Sequence, residues 1–90
     1  AEAVDWGLAN RVVPDADLLQ EAGQLASRLS RGPTLSFGRV KTLLNDTFTH
    51  GMETQMELEA RAIASAATTA DAQEGIRAFL AKEKPEFSGT

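Results

Sequence analysis

Cysteine is missing from the 90 residues, and histidine occurs once, at His50. Without cysteine the chain forms neither disulfide bonds nor thiolate metal sites. A single histidine does not supply a zinc ligand set, so no metal site is predicted. His50 lies in the segment FTHGMET between two predicted helices, and we interpret it as a solvent-exposed residue of that connection.

Long apolar runs and clusters of basic residues are also missing. The apolar runs fall far short of the roughly 20 residues that cross a bilayer, so no membrane partner is predicted. The first residues, AEAVDWG, lack a basic region followed by an apolar run, so no signal peptide is expected. The net charge is −4 and the basic residues are dispersed, which argues against nucleic-acid binding. We therefore expect a cytoplasmic protein.

Motifs of common enzyme classes are missing as well. The glycines form neither a GxGxxG fingerprint nor a Walker loop, and no serine has a suggestively placed histidine. Paired catalytic carboxylates need a cleft of low dielectric constant that shifts a pKa, and nothing marks such a cleft near Glu53, Glu57 and Glu59. We interpret these glutamates as a solvated acidic face, in which Glu57 and Arg61 have the spacing of a helical ion pair.

Four segments of the chain do carry apolar residues at helical spacing. The first helix is predicted in PDADLLQEAGQLASRLSRG, with Asp15 or Asp17 as N-cap and an end at the Gly-Pro pair. The second begins at that proline or at Thr34 and ends near Phe48. The third covers METQMELEARAIASAA. Each helix has an apolar stripe and a polar back, so the stripes are expected to pack in a small bundle or against another chain.

The residues before the first of these helices form no long periodic element. A short helix is predicted for Glu2 to Trp6 with Gly7 as its stop, followed by an extended piece, LANRVVP, that ends at Pro14. The predicted fold class is therefore mainly α, with four amphipathic helices, a short N-terminal helix and an extended piece.

The fourth helix lies in TTADAQEGIRAFLAKEKPEF. Thr69 or Asp71 is predicted to cap it, and Asp71 with Glu74 has the spacing of a capping box. Lys82 and Lys84 are expected in the last turn, where cations interact favourably with the helix dipole, and the following proline ends the helix. Its predicted apolar face consists of Ala72, Ile76, Phe79 and Leu80.

Three residues of this helix raise the question of a ligand. Gly75 costs helix stability, and the usual compensation is the close approach of another backbone, so we favour packing over a ligand contact. Phe79 and Lys82 lie one turn apart. They are either a core aromatic with a lysine extending past it, or a flat aromatic beside a cation that suits a planar, phosphate-bearing ligand such as a nucleotide. Helical apolar stripes mostly form cores, so the pattern alone favours packing.

Together these segments resemble the last third of the crotonase family, the enoyl-CoA hydratases and isomerases. The matching segments are EAVDWGLANRVVP, ADLLQEAGQLASRLSRGPTLSFGRVKTLLN and QMELEARAIASAATTADAQEGIRAFLAKEKPEFSG. The most specific block is the last one, with its spacing of Asp71, Glu74, Gly75, Ala78, Phe79, Lys82, Pro85 and Phe87. The chain departs from the family pattern at Glu83, where arginine is frequent, and at Ala9, where valine is usual. GPT followed by TQMELEA is most similar to the branch that acts on ring-1,2-epoxyphenylacetyl-CoA or carries out similar enoyl-CoA isomerisations.

The resemblance implies that residues 1–14 are the end of a crotonase core and residues 15–90 the helical C-terminal oligomerisation region of a homotrimer or hexamer. It implies an acyl-CoA substrate and no separate cofactor. It also implies that Phe79 approaches the adenine and Lys82 the phosphate of a CoA bound by a neighbouring subunit. The family's oxyanion-hole amides and catalytic acids belong to an upstream part that has no counterpart here, so no catalytic residue is assigned and this chain alone is expected to be inactive. The alternative is a free-standing helical interaction module without enzymatic activity.

Overall fold

A computed structural model of the chain describes residues 2–90. It contains five α-helices and, within residues 2–90, no β-strand, which confirms the mainly α fold class. One 3₁₀ turn, Asp15–Asp17, precedes the second helix. The helices are α1 (Glu2–Asp5), α2 (Leu18–Ser30), α3 (Thr34–Asp46), α4 (Met52–Ala67) and α5 (Ala70–Ala81).

The first part of the chain consists of α1 and an extended segment. Gly7, with φ +73°, ends the short helix as expected, and the Trp6 amide donates to the carbonyl of Glu2 at 3.0 Å. The extended segment runs alongside α2, because Arg11 Nη1 donates to Glu21 Oε2 at 2.6 Å. The division into residues 1–14 and 15–90 stays a prediction.

The start of α2 differs from the predicted capped helix. Neither Asp15 nor Asp17 accepts a capping hydrogen bond through its side chain. Asp17, the residue before the helix, has φ −97° and ψ −10°, because the 3₁₀ turn has already brought the chain into a helical conformation. An N-cap needs an extended backbone at that position, so the prediction of an aspartate cap is wrong.

The helices α3, α4 and α5 pack in sequence order, α3 on α4 and α4 on α5. Between α3 and α4, Arg39 Nη2 donates to Ser65 Oγ at 2.9 Å, and the Gln55 amide donates to the carbonyl of Leu43 at 3.3 Å. The predicted pair of Glu57 and Arg61 is present at 2.8 Å, and His50 is exposed at the α3–α4 connection, as expected. None of the described helices is both long and apolar enough to span a membrane.

The apolar stripes of the helices remain largely exposed. Ala78 is the only buried hydrophobic residue among residues 2–90, whereas Leu19 is 87% and Phe48 93% exposed. The radius of gyration is 16.9 Å, against about 12 Å for a compact domain of this length. The accessible surface is 7424 Å², against about 5,100 Å² for a folded monomer of this size. The helices therefore form an open arrangement and not a closed four-helix bundle.

Candidate ligand site at the end of α5

The helix α5 begins at a side-chain cap. Thr69 has an extended backbone, φ −78° and ψ 154°, and its Oγ1 accepts from the Ala72 amide at 3.1 Å. This geometry gives one of the first-turn amides a partner. Of the two residues predicted to cap this helix, Thr69 is therefore correct and Asp71 is not.

Asp71 instead binds the end of the chain. It is 3% exposed, and its carboxylate accepts from the Ser88 amide at 2.7 Å and from the Gly89 amide at 3.0 Å. Its own amide donates to the carbonyl of Thr90 at 3.0 Å. A buried carboxylate needs such partners, and here they come from residues 88–90 and not from the first turn of its own helix. The predicted capping box of Asp71 and Glu74 is wrong for this reason.

Glu74 makes a second connection to the same tail, residues 83–90. Its Oε1 accepts from the Glu86 amide at 3.1 Å, and its two oxygens accept from Arg77 at 2.7 and 2.9 Å. The hydrogen bonds from Arg77, followed by that from Glu86, lower the pKa of Glu74 from 4.5 to about 2. Arg77 also donates to Glu83 at 2.7 Å, and its two carboxylate partners raise its own pKa.

Gly75 lies beside Phe87, a residue of the tail. A Cβ built at Gly75 would lie 3.5 Å from the Phe87 ring, which is an ordinary van der Waals distance. The packing predicted at Gly75 is therefore present, but the group that approaches is an aromatic side chain and not another backbone. Phe87 is half-buried there and fastens the tail along α5.

The helix ends at Ala81, in a left-handed turn at Lys82. Lys82 has φ 57° and ψ 36°. Its amide donates to the carbonyl of Phe79 at 3.2 Å, and the Glu83 amide donates to the carbonyl of Ala78 at 2.9 Å. These two bonds form a Schellman motif. The predicted placement of Lys82 and Lys84 in the last helical turn is wrong, because the left-handed residue ends the helix before either lysine and before the proline.

The two predicted ligand residues lie on either side of the end of α5, Phe79 within its last turn and Lys82 directly after it, and both are exposed. Phe79 is 82% exposed, so it is not a core residue of this chain. Ile76 and Leu80 of the predicted apolar face are 62% and 75% exposed as well. The covered side of α5 is instead the one that carries Asp71 and Ala78. The contact of Phe79 and Lys82 with CoA stays a prediction.

The sequence did not predict a role for Arg77. It also did not predict that Asp71 and Glu74 bind the tail. Asp71, Glu74, Gly75 and Ala78 recur at helical spacing and combine short side chains with two carboxylates. Short side chains on one side of a helix leave room for a segment without regular structure, and the two carboxylates can accept hydrogen bonds from the backbone amides of that segment. This pattern indicates that some segment packs on this side of α5, but it does not identify residues 83–90 as that segment.

Comparisons with known proteins agree over the whole chain. The family model described as enoyl-CoA hydratase/isomerase matches residues 1–90. The 1,2-epoxyphenylacetyl-CoA isomerase of Escherichia coli strain K12 is 40% identical over 88 residues, which are 98% of this chain and 34% of that protein. The chain thus spans about a third of the length of the curated relatives that it matches.

Two solved structures share the arrangement of the helices. The enoyl-CoA hydratase subunit I of Geobacillus kaustophilus HTA426 superposes with a TM-score of 0.92 at 32% identity, over 99% of this chain and 35% of that one. The enoyl-CoA hydratase of Polaromonas sp. JS666 gives a TM-score of 0.85 at 30% identity, over 97% and 34%. The open helical arrangement therefore recurs inside proteins about three times as long.

Proposed function

The chain belongs to the enoyl-CoA hydratase/isomerase family, and on that premise we propose that it is the C-terminal third of an enzyme that hydrates or isomerises the double bond of an acyl-CoA thioester. The observation that carries this proposal is the family match over residues 1–90, combined with coverage of only a third of the relatives. The 40% identity to an isomerase of 1,2-epoxyphenylacetyl-CoA favours a substrate of that kind.

In this proposal the chain alone is inactive. The polarisation of the thioester carbonyl by oxyanion-hole amides is usually the largest single contribution to such catalysis, and the family supplies it from the upstream part. The contribution of residues 2–90 is structural and substrate-binding. No cofactor is involved apart from the CoA that belongs to the substrate.

The exposed apolar stripes support a role in oligomerisation. Exposed apolar surface of this extent is costly in water, and it is removed when another element covers it. We propose that the upstream part of the same protein and neighbouring subunits of a homotrimer or hexamer cover these stripes. The alternative of a free-standing interaction module lacks support, because such a module needs a buried core of its own and Ala78 is the only buried apolar residue among residues 2–90.

Phe79 and Lys82 are proposed to bind the nucleotide of CoA across a subunit interface. Both are exposed at the same end of α5, so a flat aromatic surface and a cation are available together. Stacking of a base on an aromatic side chain contributes about 1–3 kcal/mol. A lysine ammonium is a compact positive charge that suits a phosphate.

The test uses the full-length protein and two separate substitutions, Phe79→Ala and Lys82→Ala. Each is expected to raise the KM for an acyl-CoA thioester on the order of tenfold, with a smaller effect on kcat, because the contacts to the nucleotide are proposed to be the same in the ground state and in the transition state. Arg61→Ala, at an exposed position on α4 with one surface ion pair, is the control and should leave KM unchanged. Equal KM values for wild type and both site variants would contradict the assignment.

A further inference from the structure

Lys82 has an unusual backbone for a lysine. It is the only residue other than glycine with a positive φ among residues 2–90. Residues with a Cβ avoid this region for steric reasons, and they remain there only where the surroundings hold them. The residue proposed to bind phosphate is therefore also the one whose conformation requires external support.

Arg77 supplies that support from one helical turn before. Its guanidinium donates to Glu83, the residue directly after Lys82, at 2.7 Å. The same guanidinium is fixed by two hydrogen bonds to Glu74, at 2.7 and 2.9 Å. Planar, paired contacts of this kind restrict the arginine more than a single ion pair would.

Glu74 extends the support to the other side of the turn, because it also accepts from the Glu86 amide at 3.1 Å. The Glu83 amide is held at the same time by the carbonyl of Ala78. The segment that follows Lys82 is thus bound to α5 through its backbone and through its side chains. A return of Lys82 to helical φ would carry Glu83 and the tail away from these partners.

The conformation matters because it sets the direction of the lysine side chain. Rotation about φ moves Cβ around the N–Cα bond, so the change from a helical value to 57° turns the side chain by roughly 120°. We propose that Arg77 is a positioning residue: by joining Glu74 to Glu83 it maintains the left-handed turn that directs Lys82 toward the phosphate of CoA. This inference rests on the proposed function of Lys82.

The experiment is a double-mutant cycle in the full-length enzyme with Lys82→Ala, Arg77→Met and both together. Arg77→Met keeps a long side chain but removes every hydrogen bond to Glu74 and Glu83. Two substrates are compared, an acyl-CoA thioester and the corresponding pantetheine thioester, which lacks the nucleotide. Arg61→Met is the matched control, because Arg61 is an exposed helical arginine with one glutamate partner on α4.

For the acyl-CoA thioester, Arg77→Met should raise KM several-fold without changing kcat, and the double variant should be no worse than Lys82→Ala alone, since groups that act through one another are not additive. For the pantetheine thioester, KM should not change in any variant. Arg77→Lys should restore part of the acyl-CoA affinity, because it retains a charge but not the paired geometry. Arg61→Met should behave as wild type with both substrates.

Each other outcome contradicts a distinct claim. If Lys82→Ala leaves the KM for acyl-CoA unchanged, the proposed function of Lys82 fails and the inference fails with it. If Lys82→Ala raises KM but Arg77→Met does not, or if the two effects multiply, only the positioning role is refuted. If Arg77→Met raises KM equally for both thioesters, its effect is a general structural one and the positioning role is refuted.

Discussion

At the scale of single residues, Asp71 and Lys82 determine how the end of the chain is held. Asp71 is the only buried charged residue among residues 2–90, and the amides of Ser88 and Gly89 donate to it. Lys82 has a left-handed backbone conformation, which is unfavourable for a lysine, at the point where the tail leaves α5. One residue thus attaches the tail, and the other sets the direction from which it starts.

The first prediction at this scale concerns Asp71→Ala. Removal of the carboxylate leaves the Ser88 and Gly89 amides without their acceptor, and hydrogen bonds to charged groups contribute about 1.5–3 kcal/mol. We expect hydrogen exchange at residues 86–90 of the full-length protein to become faster and the free energy of unfolding to fall by about 2 kcal/mol. Asp15→Ala, at a position without a side-chain capping bond, is the control. Unchanged exchange of the tail in Asp71→Ala would refute the role of Asp71.

The second prediction concerns the backbone of Lys82. A left-handed conformation costs roughly 1–2 kcal/mol for a residue with a Cβ, and glycine avoids this cost. Lys82→Gly should therefore increase the free energy of unfolding by about 1 kcal/mol, while it weakens acyl-CoA binding. Lys82→Ala keeps the Cβ and is the matched comparison. Equal unfolding free energies of the glycine and alanine variants, measured by denaturant titration, would show that no strain is present.

At the scale of secondary-structure elements, α5 and the tail act as one unit. The periodicity of the sequence and its Gly and Pro residues predict where α2 to α5 lie, because those signals are local. The tail was not predictable from the same signals. An aspartate followed three residues later by a glutamate fits a capping box, and the alternative partners of Asp71 are 17 and 18 residues away. Likewise, glycine is the usual residue of a left-handed helix end, so Lys82 carried no local signal for one.

The prediction at this scale is a pH dependence of the tail attachment. The folded-state pKa of Glu74 is about 2, below its ordinary 4.5, so its stabilisation is complete above the ordinary value and is lost as the pH falls toward 2. Hydrogen exchange at the amides of residues 83, 84, 86 and 87 should therefore accelerate relative to Glu74→Gln as the pH is lowered through this window. Glu74→Gln lacks the titrating group, so the difference in exchange rate between this variant and wild type should become smaller as the pH falls. A constant difference across the window would contradict the assigned role of Glu74.

At the scale of the whole molecule, the main feature is the amount of apolar helix surface that remains exposed to solvent. The accessible surface exceeds that of a folded monomer of this size by about 2,300 Å². The sequence predicts that the stripes exist, because their spacing is helical. It does not predict whether a stripe faces its own chain or another, because both environments select the same apolar residues. The open arrangement and the match to a third of longer enzymes instead support the proposal that other parts of a larger assembly cover them.

The most direct test of that proposal compares the full-length protein with residues 1–90 alone. Both are assayed for hydration of a 2-enoyl-CoA thioester, for double-bond migration in a 3-enoyl-CoA thioester and for isomerisation of 1,2-epoxyphenylacetyl-CoA, and the size of each is measured by sedimentation. We expect turnover of at least one of these substrates and a trimer or hexamer for the full-length protein, and no turnover and non-specific association for residues 1–90. A full-length protein that turns over none of the three substrates, or a monomeric, cooperatively melting chain of residues 1–90, would contradict the account.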